Sequence, residues 1–377
     1  MDFDLTDEQR LLSETLGRFV ADRYDFHERP KKMAEGRGYS KAVWDQLAEL
    51  GVLGLPFAEQ DGGFGGGGVE TLLVMEALGK GLMVEPYFGA ILLAGGALRL
   101  AGSPAQKGAR LEGIIAGQYL MALAHAEPDG LRHTVDQLRT TAMADGDGWR
   151  LTGVKTAVIA GDSADELIVS AATPAGVTLF LVDPQADGVT IVGHPGYDGI
   201  RVADVRLHGV AVPANAVLGG LGGGAPILTR LFEEATAALV AEAVGIMADT
   251  LNITVDYLKT RSQFGVAIGS FQALQHRAVD MMMQVELARS MAILAALALD
   301  MPDEERRLNI AAAKAKVGQA ARFVGQQAVQ LHGAIGLTLE YKIGHAFKRL
   351  TAIDAWLGDA DHHLDVIAEA GGLPAIA

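Results

Sequence analysis

The chain has no cysteine among its 377 residues, which excludes disulfides, zinc-thiolate sites, iron–sulfur clusters and thiol nucleophiles. Aromatic residues make up 6% of it. No apolar run approaches the roughly 20 residues that cross a bilayer; the longest lies between Ser290 and Leu299, and no membrane span is expected. Positive charge is also scarce, with 31 Lys and Arg against 46 Asp and Glu, a formal net charge of −15. No basic run offsets this locally, which argues against nucleic acid and anionic lipid as partners. An anionic ligand would need a few placed Arg, His or backbone N–H groups. The opening "MDFDLTDEQRLL" carries acids where a secretory signal carries a basic region, so the expected compartment is cytoplasmic.

What is present in quantity is Ala, Leu and Gly, which tilts the chain toward helix. "LTDEQRLLSETLGRFVADRY" predicts a helix capped by Thr6 with Leu11, Leu12, Leu16, Phe19 and Val20 on one face. In "YSKAVWDQLAELGVLGL" Ser40 is the expected cap, Val43, Trp44, Leu47 and Leu50 the inward face, and Gly51 the stop. A glycine-dense loop at residues 61–68 precedes a third helix from Val69 to Leu82. Between about 119 and 210 the hydrophobic period falls to two, in short branched segments such as "GWRLTGVKTAVI" and "VTLFLV", predicting an antiparallel sheet or small barrel. From Ile227 the helical period returns in three long stretches with small-residue seams, predicting a bundle.

Several stretches could carry chemistry. "KTRSQFG" puts Arg261 at a helix end, where it is either a partner of the helix dipole or a phosphate-binding guanidinium beside an aromatic. "QLHGAIG" ends another helix with glycines, as a cap with His332 on the surface or as a place of close ligand approach. "AHAEPDG" places His125 on a loop, where a structural hydrogen bond is the plainer reading. "AIDAWLGDADHHL" concentrates Asp359, Asp361, His362 and His363. Asp359 or Asp361 would cap a final helix with Leu364 and Ile367 inward, and adjacent histidines about 100° apart on a helix do not chelate one ion, so no metal site is expected.

The order of these stretches resembles the acyl-CoA dehydrogenase family of flavoproteins, from "FDLTDEQRLL" through "LAELGVLGLPFAEQDGGFGGG" to "RSQFGVAIGSFQALQHRAVDM" and "QLHGAIGLTLEYKIGHAFKR". The resemblance implies a helical domain over 1–117, a middle β domain over 118–217 and a helical four-helix bundle over 218–377. It implies FAD, with Arg261 and Gln263 at the pyrophosphate, Phe264 near the adenine and Gln272 on the same cofactor. Gln330, His332 and Gly333 match the segment along the ADP half, and Asp359 and Asp361 a segment along the cofactor. It also implies an acyl-CoA thioester as substrate and an electron-transfer flavoprotein or similar acceptor as partner.

The chain departs from the pattern where the chemistry is done. The family's base is the Glu of a Tyr-Glu-Gly step; here the step is Trp356, Leu357, Gly358, and Leu cannot take a proton. The second base location in the family falls at Ala235, next to Glu233 and Glu234. The flavin-flanking Trp-Ile-Thr segment appears as "AVIAG", with Val158 in the aromatic slot. The closest resemblance is to the small subunits of pimeloyl-CoA-type or steroid side-chain heteromeric dehydrogenases, whose paralogous partner subunit supplies the base in a heterotetramer. The alternatives are a self-sufficient homo-oligomer whose base is Glu242, Asp354 or Glu234, in that order, and a flavin-free structural subunit.

Overall fold

Helices occupy both ends of the chain and strands its middle, in the order that the hydrophobic periods predict. The computed structural model describes residues 4–128 and 134–372; residues 129–133 of the acidic-Pro stretch and 373–374 of the closing "GGLP" lie outside the described residues. The chain runs through α1 (Asp7–Arg23), α2 (Arg29–Ala34), α3 (Lys41–Glu49), α4 (Gly68–Gly81), a π-helical stretch Tyr87–Gly95 leading into α5 (Gly96–Ala101), α6 (Pro104–Gly108) and α7 (Leu111–Ile115). Strands follow: β1 (Met121–Ala124), β2 (Thr141–Asp145), β3 (Gly148–Ile159), β4 (Glu166–Thr173), β5 (Gly176–Val182), β6 (Val189–Pro195), β7 (Arg201–Pro213) and β8 (Val217–Leu218). Then come α8 (Gly224–Thr260), a small hairpin of β9 (Ser262–Gln263) and β10 (Val266–Ala267), and α9 (Gln272–Ala298), α10 (Asp303–His332), α11 (Lys342–Ala355) and α12 (Ala360–Glu369).

The chain divides into two compact units. The first takes the chain up to Arg29, Gly68–Met83 and everything after Ala235. Thr6 opens α1 with a capping box closed by Gln9, as its sequence predicts. Close helix crossings depend on missing side chains: a Cβ on Gly79 of α4 would stand 2.3 Å from the Glu242 carbonyl oxygen of α8, and one on Gly245 2.0 Å from that of Glu76. Nothing larger than glycine fits at either contact. The buried face of α10 is built largely from Ala and Gly, including Ala311, Ala315, Gly318, Ala321 and Gly325, which lets its neighbours approach closely.

By length and composition α8 and α9 are each apolar enough to cross a membrane. In α8, 67% of the most apolar 18-residue stretch is buried inside the protein, against 39% in α9, whose Val279, Met282, Met283 and Leu287 form an exposed face.

The second unit takes Pro30–Gly67 and Val84–Ala235. Its sheet has the order β6-β7-β3-β2-β4-β5-β8, with β1 beside β4. The strand pairs β6·β7, β7·β3, β3·β2, β4·β5 and β5·β8 are antiparallel, but β1 and β2 each pair with β4 in parallel. The sheet is therefore mixed and open, which corrects the expectation of an antiparallel sheet or closed barrel. A period of two reports which residues share a face and carries no information on strand direction or closure.

Four smaller expectations also change. Of the apolar face expected on α1, Leu16 and Val20 are buried while Leu11 is exposed. Ser40 stands at the N-cap of α3 without a side-chain cap bond; its backbone N–H faces Glu85 at 3.4 Å. Leu50 ends α3 exposed, and on α12 it is Ala360 and His363 that are buried while Leu364 faces outward. Helical spacing groups residues into a face, and tertiary packing decides how far that face extends.

Candidate functional site

α8 ends at Thr260, and the Arg261 N–H closes its last turn on the Tyr257 carbonyl oxygen at 2.8 Å. The chain then folds back as the β9·β10 hairpin, with Phe264 in the left-handed region at φ 53° and Gly265 at φ 81°. This turn leaves the Phe264 ring 92% exposed. The Arg261 and Gln263 side chains are exposed too, and among the described residues the Arg261 guanidinium has no ion pair. An unpaired guanidinium beside an exposed aromatic can take an anionic group joined to a ring.

The same end of the helices carries "QLHG". Tyr257, one turn before Arg261, packs its ring on that of His332 with centroids 4.4 Å apart, and its hydroxyl donates to the His332 carbonyl oxygen at 3.4 Å. Tyr341 covers His332 with centroids 5.1 Å apart. His332 is buried, so the surface position expected of it as a helix cap is not the one it takes. Its Nδ1–H donates to the Ala328 carbonyl at 2.8 Å, which leaves Nε2 as a buried acceptor without a partner among the described residues. Burial holds its pKa below the ordinary histidine value. Gln330 and Gly333 stand exposed beside it, and a Cβ on Gly333 (φ 65°) would meet nothing within 4 Å, so backbone there is open to a ligand. Gln272 begins α9, exposed, just after the hairpin.

Asp359 and Asp361 lie elsewhere. Asp359 is the N-cap of α12 and accepts the His362 N–H at 2.9 Å; that bond, outweighing burial, holds its carboxyl below the usual range. Both are exposed. The turn before them packs on α10 near Lys314, whereas Gln330 is at the far end of that helix, about 24 Å away along its axis at ~1.5 Å per residue. The residues expected around one cofactor thus form two groups, one at the C-terminal end of α10 and one against its middle. No group of three or more His, Asp or Glu able to hold a metal occurs among the described residues.

Leu357 is buried, 5% exposed, in a left-handed conformation at φ 57°. Its backbone is held tightly: the His363 Nε2–H donates to the Leu357 carbonyl at 3.0 Å. Buried Lys314 donates to the carbonyl oxygens of Asp354 (2.9 Å), Trp356 (3.0 Å) and Gly358 (2.6 Å). Each alternative carboxylate is in an arginine's grip. Glu242 is clamped by Arg349, Nε to Oε1 at 2.6 Å and Nη2 to Oε2 at 2.7 Å. Asp354 takes Arg322 at 2.8 Å, and Glu234 takes Arg99 and Arg230.

In the β unit, the Glu127 carboxylate receives the Lys155 ammonium at 2.8 Å and the N–H groups of Arg139 (2.7 Å) and Thr140 (2.9 Å). Lys155 also donates to the His125 carbonyl and to Ser170. The His125 Nε2–H donates to the Thr134 carbonyl at 2.8 Å, so its Nδ1 accepts from Ser170 at 2.9 Å. His125 is therefore a structural partner in a saturated network. Val158 is fully buried.

Lys155 and Lys314 belong to none of the sequence stretches singled out for chemistry. Each nonetheless sits at an inward position of its element's period, Lys155 two strand steps after Leu151 and Lys314 one helical turn after Ile310. A charge at such a position was the available signal.

Family models described as the acyl-CoA dehydrogenase N-terminal, middle and C-terminal domains match residues 6–118, 122–210 and 222–372. A probable acyl-CoA dehydrogenase of Bacillus subtilis, YngJ, is 29% identical over 98% of this chain and 99% of its own. The short-chain specific acyl-CoA dehydrogenase of Megasphaera elsdenii is 31% identical over 91% and 92%. Among solved structures, the ChsE4-ChsE5 complex from Mycobacterium tuberculosis has a chain that matches with a TM-score of 0.88 at 27% identity, covering 100% of both chains. With all three domains in order along its length, the chain belongs to the acyl-CoA dehydrogenase family.

Proposed function

We propose that this chain is the base-lacking subunit of a heteromeric, FAD-dependent acyl-CoA dehydrogenase, which desaturates an acyl-CoA thioester between its α and β carbons. FAD is the cofactor that the family implies, and the first group of residues suits it: Arg261 and Gln263 for the pyrophosphate, Phe264 for the adenine, with Gln272, Gln330, His332 and Gly333 along the ADP half. Bound there, it would supply the two-electron acceptor for hydride from the β carbon. Asp359 and Asp361, against the middle of α10, would serve the cofactor of a neighbouring subunit. An electron-transfer flavoprotein or similar acceptor would then take the electrons.

The observation that carries the reading is the state of the carboxylates. Proton abstraction from the α carbon needs a carboxylate free to accept, and position 357 offers a buried leucine instead. Glu242 would have to give up two charge-assisted hydrogen bonds in a buried site to take a proton, and Asp354 and Glu234 are likewise committed to arginines. The base would come from a paralogous partner subunit. The likeness to a chain of a two-component complex supports such a partner, as does the exposed apolar face of α9.

The test is dehydrogenation of acyl-CoA thioesters by the chain purified with FAD, alone and with its paralogue. Turnover is expected with the partner and not without it. Robust turnover by the chain alone, abolished in Glu242→Gln or Asp354→Asn, would transfer the chemistry to a relocated base. Failure to hold flavin alone and with the partner would leave a structural subunit.

A further inference from the structure

Lys314 is 1% exposed, and among the described residues its ammonium makes no ion pair. It is instead surrounded by three carbonyl oxygens, from Asp354, Trp356 and Gly358. These belong to the last residues of α11 and the turn beyond it, where a helix leaves carbonyls without intrahelical partners and where the dipole favours a cation. Three carbonyls converging on one point make a cage of the kind that holds a monovalent cation, and here the cation is covalently attached to α10.

The attachment continues along the helix. Gly318, one turn after Lys314, leaves room for Asp354, whose Oδ1 would stand 2.3 Å from a Cβ at that position. Arg322, another turn on, pairs with the other oxygen of Asp354 at 2.8 Å. Lys314, Gly318 and Arg322 therefore form one stripe at i, i+4 and i+8 that grips the end of α11. The turn so gripped contains Leu357 at φ 57°, a conformation that an L side chain keeps only where its surroundings enforce it. It leads at once into the cap of α12 at Asp359.

We propose that Lys314 is a tethered cation in a carbonyl cage, the positioning residue that sets the turn at 354–358 and with it the cofactor-facing start of α12. The first half stands on the geometry alone; the cofactor half rests on the function proposed above.

Fluorine NMR on 5-fluorotryptophan-labelled full-length protein separates the two. The chain has three tryptophans: Trp356 lies in the turn, while Trp44 and Trp149 lie in the second unit and report its folding; far-ultraviolet circular dichroism reports whether the helical unit stays folded. In Lys314→Met the Trp356 resonance is expected to shift or broaden while the other two stay, and FAD, titrated with the partner present where it is required, is expected to bind at least tenfold more weakly. In Lys314→Ala, methylammonium should restore the Trp356 resonance and choline, too large for the cage, should not. An unchanged Trp356 resonance in Lys314→Met overturns the proposal, as does common movement of all three tryptophans that methylammonium does not reverse. A moved Trp356 with unchanged FAD affinity overturns the cofactor half. Failure of the wild type to bind FAD at all defeats the proposed function, and Trp356 still decides the role of Lys314.

Discussion

Lys155 in the β unit and Lys314 in the helical unit are both buried, and burial draws both ammonium groups down to about 8. Their partners differ. Lys155 faces a carboxylate, Glu127, inside a network that also satisfies His125, Ser170 and two backbone N–H groups. Lys314 faces neutral carbonyls at a helix end and keeps its charge without an ion pair among the described residues. A buried pair of opposite charges is a structural solution whose parts need each other. A buried charge whose hydrogen-bond partners are all carbonyls, with the Asp354 and Asp359 carboxylates acting on it only through space, costs desolvation and yields a defined backbone, which points to the turn as the thing being maintained. A third arrangement stands outside both: Arg261 keeps its charge exposed and available to a ligand.

Breaking the first arrangement should have the largest effect on stability. Lys155→Met strands Glu127 in the β unit and should destabilise by about 3–5 kcal/mol, measured by urea unfolding; Lys155→Met with Glu127→Gln should recover part of that loss, because no unpaired charge remains. Lys314→Met removes a donor from three carbonyls, some of which water can reach, and should cost about 2 kcal/mol in the same measurement. If it costs as much as Lys155→Met, the contrast between pair and tethered cation is wrong.

Acid should reach the β network next. Burial, reinforced by Lys155, lowers the His125 imidazole to about 4 from 6.5. The unfolded chain then binds the extra proton between about pH 6.5 and 4, and stability should fall across that window as pH falls. For Glu127, burial alone would raise the carboxyl, but the hydrogen bonds from Lys155 and Thr140 outweigh it and hold the group at about 2 instead of 4.5. Its stabilisation is complete above about pH 4.5 and is lost as pH falls toward 2. Trp149, packed on Phe180 in the sheet, reports both losses by fluorescence; a flat response from pH 6.5 to 4 would remove His125 from the account.

Arg261→Ala should change thermal stability least, because its side chain is exposed and unpaired among the described residues. FAD affinity should nonetheless fall by at least tenfold, measured by flavin fluorescence. A change in melting temperature with intact flavin binding would turn the hairpin from a ligand site into a structural element.

Much of this was legible in the chain itself. The segment "GWRLTGVKTAVI" is β3 to the residue, Thr6 caps α1, Gly51 terminates α3 and Asp359 caps α12, because turn and cap chemistry act over a few residues. The end of the long helix at Arg261 was legible in the same way. The burial of His332, the outward turn of Leu364 and the parallel pairing of β1 and β2 with β4 were not legible, since each depends on residues distant in sequence.

The sequence by itself determined where helices and strands form, that no thiol chemistry is available, and that position 357 carries a leucine, which cannot take a proton. Tertiary structure decided which charges are spent inside the molecule: Glu242 on Arg349, Asp354 on Arg322, Lys155 on Glu127, and Lys314 on three carbonyl oxygens. A side chain's type fixes its charge, but whether that charge is free for a ligand depends on what the fold places within about 3 Å of it, and in these pairs the partners come from elements far apart along the chain.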